Sequence, residues 1–162
     1  MKNLFLSLAL TALCFSAFAS TGLKPTFKAG KAMAAPYKRL VVYGNLKVVL
    51  VSADQQHVSI APQSESEKVN TIYSKNELVL DGSSVSELGQ VTVRVPVNQL
   101  ELLDIIGNAT VLSESTLNIS NLIVTMQGEG KINIKNTGSI KVKSDAGYQF
   151  KTITQKGKVC IE

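Results

Sequence analysis

The chain is poor in the residues that build metal centres, disulfide frameworks and aromatic sugar platforms. It has no Trp, one His and two Cys in 162 residues. One histidine and two distant cysteines exclude a dense His/Cys zinc site, and they are too few for a disulfide-stapled small protein. A hydrophobic content of 44% excludes a disordered chain. The length fits one ordinary domain, built around an apolar core.

Residues 1–19 contain the three parts of a secretory signal peptide. Lys2 supplies a positive start, Leu4 to Phe15 form an apolar run, and Ala17-Phe18-Ala19 places small residues before a cleavage site. The run is too short to span a bilayer comfortably. We therefore predict cleavage near Ala19 and a mature protein in the periplasm, at the cell surface or outside the cell, with no stable membrane span. Cys160 is then the only thiol left.

The remaining chain divides into a lead-in and a domain. Residues 20–36 mix Lys, Ala, Gly and Pro without a period, which indicates a linker. Residues 37–162 are β-patterned, and the valines of Gln90–Val97 alternate with Thr92, Arg94 and Pro96 as in a half-buried strand. Pro96 should end that strand, because proline cannot donate to a ladder. No later segment has a sustained helical period, so the domain is predicted to be all-β.

The second half of the chain repeats with a regular period. Gly107, Gly128 and Gly147 follow one another at nearly equal intervals, and an aliphatic residue stands at the same distance before each of them: Leu102, Ile123 and Val142. The period predicts a β-solenoid with turns of about twenty residues, and the glycines would occupy corners that need positive φ or close approach. A β-sandwich of hairpins is the alternative, and the near-equal glycine spacing favours the solenoid.

Three segments, in order, resemble a known family. They are YKRLVVYGNLKVVLVSADQQHVSIAP, NELVLDGSS with VTVRVPVNQLELLDIIGNATV, and GEGKINIKNTGSIKVKSDAGYQF. From Tyr37 to Phe150 the chain is similar to the bacterial exported family named "putative auto-transporter adhesin, head GIN domain". The resemblance implies a single-stranded right-handed β-solenoid, export to the periplasm or surface, and no established catalytic residues. Bulky Tyr148 and Phe150 depart from the family pattern.

The residues offer little for catalysis. His57 has no nearby Cys or paired carboxylate in sequence and is interpreted as a surface imidazole near a strand end. The carboxylates are scattered without a calcium-binding repeat, and Gly128-x-Gly130 lacks the rest of a phosphate-loop fingerprint. No cofactor or metal is expected. Asp104 and Asp145 are the candidates for an alternative, a small polysaccharide-active enzyme.

Lysines are the more suggestive residues. From Lys131 to Lys158 there are seven lysines and one acidic residue, Asp145. A lysine stripe attracts anionic partners such as acidic polysaccharide or lipid headgroups, although lysines also keep exposed strands soluble and unpaired. In the solenoid register Lys131 and Lys151 are predicted to lie one turn apart on the same face. The predicted ligand-binding residues are Lys131, Lys141, Lys143 and Lys151.

The sequence therefore predicts an exported, non-enzymatic cell-envelope domain, an adhesin or a binding or scaffold module. Its partner would be an envelope glycan, a lipid headgroup or a protein, and nucleic acid is not expected for an exported chain. The alternatives are the polysaccharide-active enzyme and a structural or sensor-associated envelope domain. Cys160 either packs as a small apolar residue or links two chains into a homodimer.

Overall fold

The structure is a computed structural model that describes residues 28–29, 37–52, 57–86, 91–144, 149–154 and 159–161. The predicted signal peptide, most of the predicted linker, Asp145, Gly147, Tyr148 and Lys158 lie outside these residues. The predicted linker contributes Lys28–Ala29, a short strand that pairs with a strand of the domain.

The described chain consists of β-strands and one short 3₁₀ helix, Gln63–Lys68, with no α-helix in these ranges. The strands are β1 Lys28–Ala29, β2 Arg39–Gly44, β3 Leu46–Val51, β4 Ser59–Ala61, β5 Asn70–Ser74, β6 Glu77–Gly82, β7 Val91–Pro96, β8 Leu102–Ile106, β9 Thr110–Ser113, β10 Asn121–Gln127, β11 Lys131–Asn136, β12 Ser139–Ser144, β13 Gln149–Thr154 and β14 Val159–Ile161.

The strands form two mixed sheets. Sheet A has the order β1-β4-β7-β3-β9-β11-β13, and sheet B has the order β14-β12-β10-β8-β2-β6-β5. Three ladders are antiparallel, β1 with β4, β4 with β7 and β5 with β6, and the others between the described strands are parallel. The all-β prediction is confirmed. The sheets are not uniformly parallel, because the chain turns back on itself at the end formed by β4 and β5.

The chain alternates between the two sheets from β8 onward, and each strand pairs in parallel with the strand two positions later in sequence. Leu102 pairs with Ile123, and Ile123 pairs in turn with Lys141. The predicted period is thus present in the strand register, although the second of these intervals is shorter than the first. The β2–β3 unit breaks the sequence order, because β2 pairs with both β6 and β8 while β3 pairs with both β7 and β9.

The core lies between the inner faces of the two sheets, where aliphatic side chains stack in register from one unit to the next. One such column contains Leu78, Leu40, Leu103, Val124 and Val142. Each of these five residues has 0% relative exposure. Burial of a side chain of this size contributes about 1.5–3 kcal/mol, so the stacked columns are the main source of stability.

Glycines form a column at one corner of this stack. Gly44, Gly107 and Gly128 have φ values of +80°, +107° and +116°. A Cβ on Gly128 would lie 2.8 Å from the carbonyl oxygen of Gly107. The prediction that Gly107 and Gly128 occupy corners is confirmed, since both the positive φ and the close approach require glycine there.

Candidate functional site

The four lysines predicted to bind a ligand belong to different sheets. Lys131 and Lys151 are on β11 and β13 of sheet A, whereas Lys141 and Lys143 are on β12 of sheet B. Lys131 and Lys143 are exposed and Lys141 is half-buried. Because the inner faces of the sheets share one core, their outer faces point away from each other. One surface therefore cannot present the side chain of Lys131 together with those of Lys141 and Lys143.

Strand register also separates the two lysines of sheet A. Lys131 pairs with Gln149, and Lys151 pairs with Asn133. The two lysines are therefore offset by two positions along the ladder, because the interval between paired positions of β11 and β13 is shorter than the predicted period. For Lys151 only the backbone is described.

Asp104, one candidate for the alternative enzyme, is held in an ion pair. Its Oδ2 accepts a hydrogen bond from Nε of Arg39 at 2.8 Å and lies 2.7 Å from the Nη2 atom of that residue. Arg39 also forms an ion pair with Glu77 on the neighbouring strand β6, where Nη1 lies 3.0 Å from Oε2. The hydrogen bond to Asp104 is the largest cause of the raised pKa of Arg39. Asp104 is 9% exposed, so a substrate has little access to its carboxylate, which is already paired with Arg39.

His57 and Cys160 are the remaining residues with reactive side chains among those singled out. His57 lies just before β4 and is half-buried, and its Nδ1 has no hydrogen-bond partner within the described residues. Cys160 pairs with Lys141 in the β12–β14 ladder, and its side chain lies outside the described residues. No group of three potential metal-ligating side chains forms in the part of the chain described.

A groove of about 490 Å³ opens beside the amino-terminal ends of β8 and β10. Two segments line it, one before β8 and one between β9 and β10 with the start of β10. We call it the amide groove, because four exposed carboxamide side chains line it: Asn98, Gln99, Asn118 and Asn121. Its other lining residues are Leu100, Glu101, Ile119, Ser120 and Ile123.

Backbone pairing between successive units brings the two segments together. The Glu101 N–H donates to the carbonyl of Lys38 at 2.8 Å, and the Ile123 N–H donates to the carbonyl of Glu101 at 2.9 Å. Leu100 and Ile119 are buried with exposures of 1% and 5% and fix both walls on the core. The groove thus results from stacking and involves residues that lie about one turn of the repeat apart in sequence.

Two of the carboxamides are fixed by hydroxyl groups of the next unit. Thr137 Oγ1 donates to Asn118 Oδ1 at 2.9 Å, and Ser139 Oγ donates to Asn121 Oδ1 at 2.6 Å. These bonds use the carbonyl end of each side chain and leave the Nδ2 amino group as the polar end for a ligand. Residues held in this way lose less conformational entropy on binding.

The groove combines polar groups with a single charge and one exposed apolar side chain. Glu101 is the only charged residue among its described lining residues, and Lys38 Nζ contacts Glu101 Oε1 at 2.8 Å. Ile123 is 41% exposed. Hydrogen bonding and contact with an apolar face are the chemistry that these groups offer. The four carboxamides are not predicted from the sequence, because isolated Asn and Gln residues in loops form no motif. Their recurrence about one period apart is the available signal.

The outer face of sheet B is a second surface with binding character. The large apolar side chains Tyr43, Ile72 and Ile123 are 37%, 50% and 41% exposed and all lie on its strands. Ile123 pairs with Lys141, so an exposed apolar residue adjoins a basic one. In the described part of the chain, no helix has the length and apolar character needed to cross a membrane.

Comparisons with known proteins agree with this architecture. A family model described as "Putative auto-transporter adhesin, head GIN domain" matches residues 36–159. A solved "Putative lipid binding protein" from Parabacteroides distasonis ATCC 8503 aligns with a TM-score of 0.56 and 12% identity over 85% of this chain, which spans 61% of that protein. A "putative adhesin" from Bacteroides fragilis NCTC 9343 aligns with a TM-score of 0.51 and 11% identity over 86% of this chain and 94% of that one. At such identities the likeness shows the fold alone. No curated protein matches the chain.

Proposed function

The chain belongs to the "Putative auto-transporter adhesin, head GIN domain" family, and from this membership we propose that it is an exported, non-enzymatic binding module of the bacterial cell envelope. The amide groove carries the proposal. It presents fixed hydrogen-bonding side chains on a rigid all-β scaffold, as a binding site requires. Its volume lies within the range of about 300–1,000 Å³ usual for sites that bind small ligands.

The groove favours binding over catalysis. Glycoside hydrolysis uses two carboxylates that flank the scissile bond. Among the described lining residues Glu101 is the single carboxylate, and it contacts Lys38. Asp104 is paired with Arg39 on the outer face of sheet B. The polysaccharide-active alternative therefore has no support from these two carboxylates.

Export follows from the segment at residues 1–19, with its basic start, apolar run and small-residue cleavage site. The description of the Bacteroides fragilis protein as an adhesin agrees with a role at the cell surface, and the periplasm is the other location consistent with such a signal. Tracking of the tagged full chain in cell fractions tests both locations.

The parallel units from β8 to β14 support a right-handed β-solenoid within this fold. β8 and β10 are parallel neighbours in one sheet, and β9 between them lies in the other sheet. Connections of this kind between parallel strands of one sheet are almost always right-handed. The antiparallel strands β4 and β5 then act as a cap on one end of the solenoid.

A second candidate function is binding of anionic lipid headgroups by the outer face of sheet B. Lys141 and Lys143 adjoin Ile123 and Thr125 in the β10–β12 ladder, so basic charge borders an exposed apolar residue. The Parabacteroides distasonis relative described as lipid binding makes this class worth testing. Lys131 lies on β11 of sheet A and Lys151 is on β13 of the same sheet, so they would act on a different partner.

Binding of the exported protein to cell-envelope material tests the principal proposal. We expect the wild-type protein to sediment with an envelope fraction, and the double variant Asn118→Ala/Asn121→Ala to lose at least about tenfold in apparent affinity, the effect of two hydrogen bonds. Asn133→Ala is the matched control, because Asn133 is exposed on β11 of sheet A. The proposal fails if the wild type shows no binding, or if the double variant binds as well as the control.

A further inference from the structure

We infer that the amide groove recognises a neutral, hydroxyl-rich glycan segment rather than an anionic one. The inference rests on the proposed function and names the class of ligand for the same site. It differs from the sequence-based expectation of an anionic partner held by lysines, because the lysines named there do not line the groove.

The polar groups of the groove match hydroxyl groups. Asn118 and Asn121 offer Nδ2 donors, and the hydrogen bonds from Thr137 and Ser139 to their carbonyl oxygens orient these amides. Glu101 adds carboxylate acceptors at the same groove. A sugar hydroxyl donates one hydrogen bond and accepts others, so neighbouring hydroxyls on one ring can satisfy both kinds of group.

The charge of the groove disfavours acidic sugars. Glu101 brings a negative charge, and the described lining residues include no Lys or Arg to receive a carboxylate or sulfate. Lys38 stands beside Glu101 and its Nζ is 2.8 Å from Oε1, so that cation is already paired with a carboxylate. An anionic ring would find no Lys or Arg among the described lining residues and would lie beside the Glu101 carboxylate, which costs free energy in proportion to how far water is excluded.

The apolar surface of the groove matches the C–H face of a sugar ring. Ile123 is 41% exposed on the groove side of β10 and provides a surface on which such a face can pack. The chain has no Trp, and the residues described as lining the groove include no aromatic one. Aliphatic contact buries less area than an aromatic platform, so we expect modest affinity for one segment and stronger retention on a polymer with many copies.

Peptide is the competing ligand class, and strand pairing disfavours it. Extended peptides commonly bind by adding a strand to an open sheet edge. The two strands at the groove are paired on both sides, because β8 pairs with β2 and β10, and β10 pairs with β8 and β12. These two strands therefore offer no open edge to which an extended peptide could add.

The experiment compares immobilised neutral polymers, dextran and mannan, with acidic ones, alginate and heparin, using the exported protein. We expect retention on at least one neutral polymer, weaker retention on both acidic polymers, and a loss of about tenfold in Asn118→Ala/Asn121→Ala. Binding to the neutral polymer should persist at about 1 M salt, where the Debye length is about 3 Å. Asn133→Ala is again the control, and circular dichroism of each variant shows that it is folded.

Each outcome separates the ligand class from the function. The neutral class is overturned if the protein binds alginate or heparin through the groove and salt abolishes that binding. The proposed function as a binding module would still hold. The glycan class is overturned if the protein binds envelope material through the groove and peptides displace it from that material while dextran and mannan do not. Failure to bind both the polymers and the envelope fraction overturns the inference and the proposed function together.

Discussion

Asn136 uses both ends of its carboxamide on the backbone of a single residue, Ile119. The Ile119 N–H donates to Asn136 Oδ1 at 3.0 Å, and Asn136 Nδ2 donates to the Ile119 carbonyl at 2.8 Å. Asn136 is fully buried. In this way one side chain pairs with both backbone groups of Ile119, in the segment between β9 and β10 that forms a wall of the amide groove.

Asn136→Asp should destabilise the protein by about 2–3 kcal/mol, because the carboxylate cannot donate to the Ile119 carbonyl and is buried without a cation. Burial raises the pKa of such a carboxyl group, so the loss should be smaller at low pH, where the protonated form can donate. Chemical denaturation measures both effects. Asn133→Asp, at an exposed position on the same strand, is the control and should change stability by less than about 0.5 kcal/mol. An equal loss of stability in both variants would contradict the role of the buried amide.

Gly128→Ala should cost at least about 2 kcal/mol of unfolding free energy. The new Cβ would lie 2.8 Å from the Gly107 carbonyl oxygen, and φ is +116°, a conformation that L-residues rarely adopt. Glu129→Ala, at the exposed neighbouring position, is the control and should be nearly neutral. Thermal melts of both variants check this, and a Gly128→Ala protein as stable as wild type would show that the corner is not fixed by glycine.

Tyr37→Phe should weaken the fold by about 1 kcal/mol at neutral pH, because the Tyr37 hydroxyl donates to the carbonyl of Pro96. Burial, and secondarily Tyr73, raises the pKa of Tyr37 well above its ordinary value. An acid with a raised pKa binds more protons folded than unfolded, so stability is intact below about pH 10 and falls as pH rises further.

The free energy of unfolding of Tyr37→Phe should therefore fall less steeply with pH than that of wild type above about pH 10. Some dependence should remain, because burial also raises the pKa of Tyr73. Tyr43→Phe, at a position 37% exposed, is the control. Urea titrations at a series of alkaline pH values supply the measurement, and parallel curves for Tyr37→Phe and wild type would refute the assignment.

The separation of the lysines onto two outer faces predicts an asymmetric response to charge reversal. If the outer face of sheet B binds anionic lipid, Lys143→Glu should weaken binding to vesicles of phosphatidylcholine and phosphatidylglycerol by about tenfold or more, since each basic residue near such a surface contributes about 1 kcal/mol. Lys131→Glu carries the same charge change on sheet A and should have little effect. Equal weakening in both variants in a flotation assay would rule out a lipid site on one face.

Local patterns predicted the strands well, since each depends on neighbouring residues. In the sequence, Gly44-Asn45 interrupts a run of β-branched residues, and the structure ends β2 at Gly44 and begins β3 at Leu46. Ser74-Lys75-Asn76 is a short polar turn between two apolar segments, and it joins β5 to β6 in an antiparallel hairpin. Pro96 ends β7, as predicted. These features follow from backbone geometry at turns and from the missing donor of proline. They require no information about distant parts of the chain.

Stacking order and register could not be read in the same way. Lys131 pairs with Thr110 of β9 on one side and with Gln149 of β13 on the other, and the second interval is the shorter one. A constant period therefore misplaces Lys151 against Lys131. Asn136 is a polar residue beside an exposed lysine in sequence, yet it is buried, because its environment depends on Ile119 in the preceding unit. The amide groove escaped prediction for the same reason.

The position of β2–β3 in the middle of the stack limits how the domain tolerates deletion. When an ordinary repeat protein loses a terminal unit, only the interface between that unit and its single neighbour is lost. Here the β2–β3 unit lies between β6–β7 and β8–β9, so its removal would break two interfaces and split the core. The antiparallel strands β4 and β5 cover the opposite end from β13 and β14. If the stack of strands is lengthened by duplication of a unit, the added strands can therefore extend it only at the end formed by β13 and β14.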